Sequence, residues 1–181
     1  METGTITAKP TKTLFIDILT KDVDPSAGVL DLIDNAIDSY TRHEYSDKRQ
    51  IKLTIDKEKF EIFDSCGGIA KKILEEDVFR FGVDEVKRDK PTLGLYGIGM
   101  KRALFKMGKL ISLDTDDGEI HSVLKLDLND WKEGEGWEMN FQYEDSKLNG
   151  KLPYTKINVS SLNSDISESY DLSTFICRWS C

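Results

Sequence analysis

The chain has 181 residues, 33 acidic against 25 basic, and a net charge of −8. That length fits one domain able to bury a core without disulfide or metal staples. The acid excess argues against gripping nucleic acid by bulk charge, and four prolines and 13 glycines exclude collagenous or low-complexity classes. Residues 1–13 read as a polar arm with no apolar core, so they form no secretory signal. Ser26 is a potential N-cap for a helix over 26–43, with Val29, Leu30, Ile33, Ala36, Ile37 and Tyr40 as its apolar stripe. Residues 50–56 alternate as a strand, and Asp56-Lys57-Glu58-Lys59 turns into a second strand over 60–63. A helix is predicted over 70–81, a charged loop over 83–93 and a helix over 99–107 stopped by Gly108. Strands are predicted over 109–114, 119–127, 136–143 and 154–160, and residues 163–173 are polar. Helices early and strands late predict an α+β two-layer sandwich, a mixed, mostly antiparallel sheet with helices on one face.

No apolar run approaches the ~20 residues of a membrane span. Cys66, Cys177 and Cys181 lack framework spacing, which points to reduced thiols and a cytoplasmic location. The chain stops at Arg178-Trp179-Ser180-Cys181 without a polar tail, and truncation of something longer is the expectation. His43 and His121 read as ordinary surface or strand residues, and the three tryptophans read as packing residues.

Three constellations carry chemistry. On the first helix, Asp31, Asn35 and Asp38 share one face, opposite the apolar stripe. The same pattern fits a solvated helix side. Asparagine mid-helix has no propensity reason, and a carboxylate one turn from a carboxamide suits a hard cation and a water to be activated. The second is Phe60-Glu61-Ile62-Phe63-Asp64-Ser65-Cys66-Gly67-Gly68-Ile69. A strand ends in an aspartate and two glycines admit close backbone approach. It reads either as a capped strand–turn or as a partly buried acceptor for a ligand amine. The third is Gly94-Leu95-Tyr96-Gly97-Ile98-Gly99-Met100-Lys101, a G-x-x-G-x-G run opening a helix. It matches neither the dinucleotide fingerprint nor the Walker pattern. Glycines before a helix leave N–H groups aimed at an anion, and Lys101 in the first turn opposes the helix dipole unless an anion sits there.

In this order the three resemble the GHKL ATPases: gyrase B subunits, heat-shock chaperones of the ninety-kilodalton class, histidine kinases and MutL proteins. Residues 30–38 resemble the E-x-x-x-N-x-x-D motif, 64–69 the D-x-G-x-G motif, and 94–99 the glycine motif behind the ATP lid. Tyr154-Thr155-Lys156-Ile157-Asn158-Val159 is similar to the fourth motif. Residues 15–22 and Phe79-Arg80-Phe81-Gly82 resemble an uncharacterised bacterial branch, and residues 96–101 are similar to MORC ATPases.

The resemblance implies a Bergerat ATP-binding fold with an N-terminal arm over 1–13, the domain over 14–162, a lid about 70–98 and a C-terminal segment over 163–181. It implies ATP and Mg²⁺ as cofactors. Asn35 would coordinate Mg²⁺, and Asp38 would belong to the nucleotide site. Asp64 would accept the adenine amine, and Thr155 would hold a water or Asp64. Gly68 and Ile69 would border the adenine. Gly94, Gly97, Ile98, Gly99 and Met100 would shape lid and phosphate cradle, and Lys101 would neutralise phosphate.

Two positions depart from the family pattern. Asp31 stands where glutamate is usual, one methylene shorter, which sets its carboxylate roughly 1.5 Å back. Misplacement by about 1 Å costs on the order of 10²-fold in rate, so slow turnover is expected. Cys66 replaces the first glycine of the second motif. Relatives of this kind draw a phosphate-sensing lysine from a following domain, and the expectation is that these 181 residues do not supply one. The expected function is an ATP-driven conformational switch for a partner or following domain, with a homodimer forming on ATP binding. A non-hydrolysing nucleotide sensor and a histidine-kinase-type phosphotransferase are the other readings. DNA handling or antiviral defence is implied by the branch alone.

Overall fold

The computed structural model describes residues 3–6, 8–81, 98–164 and 166, together with the backbone of Phe175–Ser180. Among these residues, the helices are α1 (Lys12–Thr20), α2 (Pro25–Arg42), α3 (Lys71–Ile73), α4 (Gly99–Met107) and α5 (Leu128–Glu133). The strands are β1 (Gln50–Ile55), β2 (Lys59–Asp64), β3 (Gly108–Asp116), β4 (Ile120–Asp127), β5 (Phe141–Asp145), β6 (Tyr154–Leu162) and β7 (Phe175–Ser180). They form one sheet in the order β5-β4-β3-β6-β2-β1-β7, and each of these pairings is antiparallel. The architecture is the expected α+β sandwich.

Strand alternation sets the inner face, and register aligns it into rows. Leu53, Ile62, Ile157, Leu113, Leu124 and Phe141 are successive cross-strand partners. Ile55, Phe60, Val159, Ile111 and Leu126 form the next row. All of these except Phe141, which packs against them half-buried, belong to the buried core. Burying each such side chain stabilises the fold by about 1.5–3 kcal/mol. A third row, one pleat along, changes character: Ile51, Asp64, Thr155, Thr115 and Ser122.

Helix α2 is capped by Asp24, not Ser26. The Asp24 carboxylate accepts from the N–H groups of Ser26 and Ala27, and Pro25 takes the first turn. The expected stripe faces the core except at Leu30: Ile33, Ile37 and Tyr40 pack half-buried against it. Gly28, Val29, Leu32 and Ala36 are buried while Leu30 is 58% exposed, because α2 packs against both the sheet and α4. The α2–α4 approach is close. A Cβ on Gly28 would lie 3.0 Å from Ala103 Cβ, and one on Gly99 would lie 2.9 Å from the Asp31 carboxylate.

Helix α4 matches its predicted span. The helix predicted over 70–81 is instead one short α-turn followed by a π-helical turn, Leu74–Val78. Helices α1 and α5 were not expected, α1 starting inside what reads as a polar arm. The strand predicted over 136–143 begins only at Phe141, and β7 joins the C-terminal segment to the sheet through β1.

Helix α1 is tied down by Lys12, whose ammonium is buried. It donates to the carbonyl of Trp131 and, at 2.7 Å, to that of Gly134, at the C-terminal end of α5. It also stands 4.8 Å from the Trp131 ring centroid. This contact joins residues more than a hundred positions apart and neutralises carbonyls at a helix end. Lys12→Ala should therefore lower unfolding stability by about 2 kcal/mol, seen as a lower urea midpoint with an unchanged m-value.

Candidate functional site

A cavity of about 480 Å³ lies between α2 and the polar end of the inner sheet face. That is within the range of small-molecule sites, roughly 300–1,000 Å³. Among its lining residues are Asn35 and Ser39 from α2, Asp64 from β2, Gly68 and Ile69 from the following loop, Met100 from α4 and Thr155 from β6.

Asp64 is the floor of this cavity. It ends β2, is only 7% exposed, and its Oδ1 accepts from the Cys66 N–H at 2.9 Å. Burial drives its pKa up to about 7, against a lowering by that one backbone hydrogen bond. A carboxylate so poorly compensated is an acceptor waiting for a donor. Thr155 is its register partner on β6, and the Thr155 hydroxyl donates to the Gly67 carbonyl at 3.1 Å. Thr115, fully buried on β3, accepts from the Ile69 N–H at 2.8 Å and donates to the Tyr154 carbonyl at 2.9 Å.

The loop after β2 is thereby pinned across β6 onto β3. Gly68 is required for this docking: a Cβ there would meet the Asp116 carbonyl oxygen at 2.2 Å. The sequence reading reserved Gly68 for a ligand edge; the backbone of β3 already demands it.

The remaining expected residues are placed unevenly. Gly94 and Gly97, and most of the span expected as a lid, lie outside the described residues. Asp38, Ile98, Gly99 and Lys101 do not line the cavity. Lys101 is buried, with Nζ 3.4 Å from the Asp77 carbonyl oxygen and 5.9 Å from the Phe81 ring centroid. Burial pulls its pKa down to about 8, against the attraction of Asp77. Asp31 also stands off the cavity lining. Its carboxylate packs on Gly99 at the start of α4, where Ile98 offers no side-chain cap. Burial raises its pKa, Asp34 adding to the rise and Arg102 opposing it.

Other lining residues were missed: Arg42 and His43 at the end of α2, and Asp117 and Glu119 in the β3–β4 turn. The i, i+4, i+7 spacing of Asn35, Ser39 and Arg42 is the signal that could have found the first group.

The family model for histidine kinase-, DNA gyrase B-, and HSP90-like ATPases matches residues 23–162. The chain belongs to this family. The matched span runs from the cap of α2 to the end of β6 and so contains the whole described cavity wall. The cavity therefore sits in a GHKL ATP-binding domain. A search of curated proteins finds no significant match. Among the described residues, no helix is long and apolar enough to cross a membrane.

The raised pKa of Asp64 fixes a sign for this ATPase domain. Its folded value, about 7, lies above the unfolded value of about 3.9. Stability linked to it is full below pH 4 and is lost as pH rises towards 7. Asp64→Asn keeps an acceptor for Cys66 and carries no charge. It should be more stable than wild type at pH 8, by on the order of 3 kcal/mol, with the gap closing near pH 4. Urea unfolding at a series of pH values checks this.

Proposed function

We propose that this domain binds ATP with Mg²⁺ in the α2–β2 cavity and hydrolyses it slowly, as a conformational switch for a partner or a following domain. The observation that carries the reading is the buried, under-compensated Asp64 carboxylate at the floor of a cavity that also presents Asn35. Adenine offers an amine to such an acceptor. Guanine offers a carbonyl there, so two acceptors would face each other unpaired. Gly68, Ile69 and Thr155 share the lining with Asp64 and are assigned to the base, and Asn35 and Met100, also lining residues, to the phosphates.

Asn35 supplies one oxygen, with no cage of three or more His, Cys, Asp or Glu groups among the described residues. That suits Mg²⁺, which keeps several waters and is held by one or two protein oxygens plus phosphates. When bound, Mg²⁺ neutralises phosphate charge and orients the phosphates. The N–H groups at the start of α4, beside Met100, favour the same anion. Gly94, Gly97, Gly99, Ile98 and Lys101 complete the phosphate end in this reading, and Asp38 supports Asn35 from the next turn.

Asp31 is the proposed general base. Its carboxylate is short and packs against Gly99, so it must be reoriented to hold a water near the phosphates. Slow turnover follows. The same placement favours a second reading, a nucleotide-binding module that does not hydrolyse.

Calorimetric titration with ATP, ADP and GTP, with and without Mg²⁺, tests the assignment. ATP should bind at least tenfold more tightly than GTP, and Asn35→Ala should abolish the Mg²⁺ dependence. Asp64→Asn should weaken ATP tenfold or more. Equal affinity for GTP contradicts the role of Asp64. Phosphate release should fall to background in Asp31→Ala; an unchanged rate removes Asp31 as base, and no release by wild type selects the non-hydrolysing reading.

A further inference from the structure

The cavity wall at the C-terminal end of α2 is more ordered than an exposed position needs. His43, the C-cap residue of α2, is exposed at the cavity mouth, yet its imidazole is fixed on three sides. Nδ1 lies 2.8 Å from the Ser39 carbonyl oxygen. A carbonyl only accepts, so Nδ1 carries the hydrogen and the neutral ring keeps Nε2 as an acceptor. One face lies parallel to the Tyr45 ring, with centroids 5.2 Å apart and planes 6° from parallel. Tyr45 in turn carries the Arg49 guanidinium, 3.7 Å from its centroid. Arg49 is buried and held by the Ser65 carbonyl at 3.1 Å and the Asp47 carboxylate at 3.0 Å.

The third side is Gly67. A Cβ there would lie 2.8 Å from His43 Cε1 and 2.9 Å from Nδ1, and Gly67 has φ +128°, where side chains are disfavoured. Held in this way between Ser39, Tyr45 and Gly67, the ring belongs to the cavity lining.

The position along α2 gives this wall its meaning. Gly67 belongs to the turn that begins at Asp64, so His43 stands at the Asp64 end. Asn35 lies eight residues earlier on the helix, about 12 Å along the axis at ~1.5 Å per residue. A nucleotide with phosphates at Asn35 and its base at Asp64 has the base beside His43.

We infer that His43 is a specificity-determining residue of the nucleotide site, a pre-positioned flat wall against which a purine base packs. This rests on the ATP-binding reading. A purine offers a larger ring face to such a wall than a pyrimidine does, so the wall favours purines. Stacking of a base on an aromatic ring carries roughly tenfold or more in affinity.

The test uses the 181-residue chain and three probes: ATP, CTP and inorganic tripolyphosphate. His43→Ala should raise the Kd for ATP about tenfold and narrow the preference for ATP over CTP, leaving tripolyphosphate within twofold. His43→Phe, which restores a flat ring, should recover most of the loss, and Tyr45→Ala, which frees the ring, should reproduce part of it. An unchanged Kd for ATP in His43→Ala overturns the inference while the ATP-binding reading stands. An equal loss for tripolyphosphate also overturns it, since a general collapse of the helix end would do that. A wild-type chain that binds none of the probes removes the ATP-binding reading and this inference with it.

Discussion

Cross-strand register is the constraint on which the site depends. Antiparallel pairing of β2 with β6, and of β6 with β3, places Asp64, Thr155 and Thr115 side by side on the inner face. Two apolar rows beside them close the core, and the third, polar row is where the helices leave a cavity instead of sealing it. A one-residue slip of β2 would send the carboxylate to the outer face, and the same slip of β6 or β3 would remove Thr155 or Thr115 from its side. The site is thus the end of the core, held by the same alternation that builds the core.

Docking of the loop after β2 extends that control. Thr115 fixes Ile69, Thr155 fixes Gly67, and Gly68 has no room for a side chain against β3. The loop therefore carries its backbone to the cavity rim with little freedom, and the α2 wall closes onto it at Gly67. On the other side, small residues let α2 and α4 approach until Asp31 touches Gly99. Rim and wall are thus positioned by close packing at Gly67 and Gly68, and the α2–α4 approach by Gly28 and Gly99.

Strands β1 to β4 and β6 and the α2 and α4 helices were legible because their periodicities are clean and Asp56, Gly99 and Gly108 punctuate them, whereas β5 was displaced and β7 was missed. The order of the three motifs made the ATPase family legible, and the family match bears that out. Asp64 stood out as the acidic end of a strand followed by two glycines. Helix α1 was not legible, because Lys12 reads as surface charge and its partners, the carbonyls of Trp131 and Gly134 and the Trp131 ring, lie far along the chain. The offset of α2 came from Asp24-Pro25, a stronger start signal than Ser26. The α2 stripe was legible except at Leu30, and it left out Gly28 and Leu32 because the helix also packs on α4, and periodicity assumes one partner. Gly68 was read as space for a ligand because the backbone it faces comes from β3. His43 was passed over because its importance lies in Tyr45, Arg49 and Gly67, contacts that no spacing rule encodes.

The central claim is that the Asp64 carboxylate, desolvated at the floor of the cavity, is the acceptor for the adenine amine. Its titration can be followed directly by NMR of the carboxyl carbon in the free chain and with ATP bound. The account predicts a pKa near 7 in the free chain, falling by about one unit or more when the amine donates to the charged form. A value near the ordinary ~3.9 in the free chain, or one that ATP leaves unmoved, would contradict it.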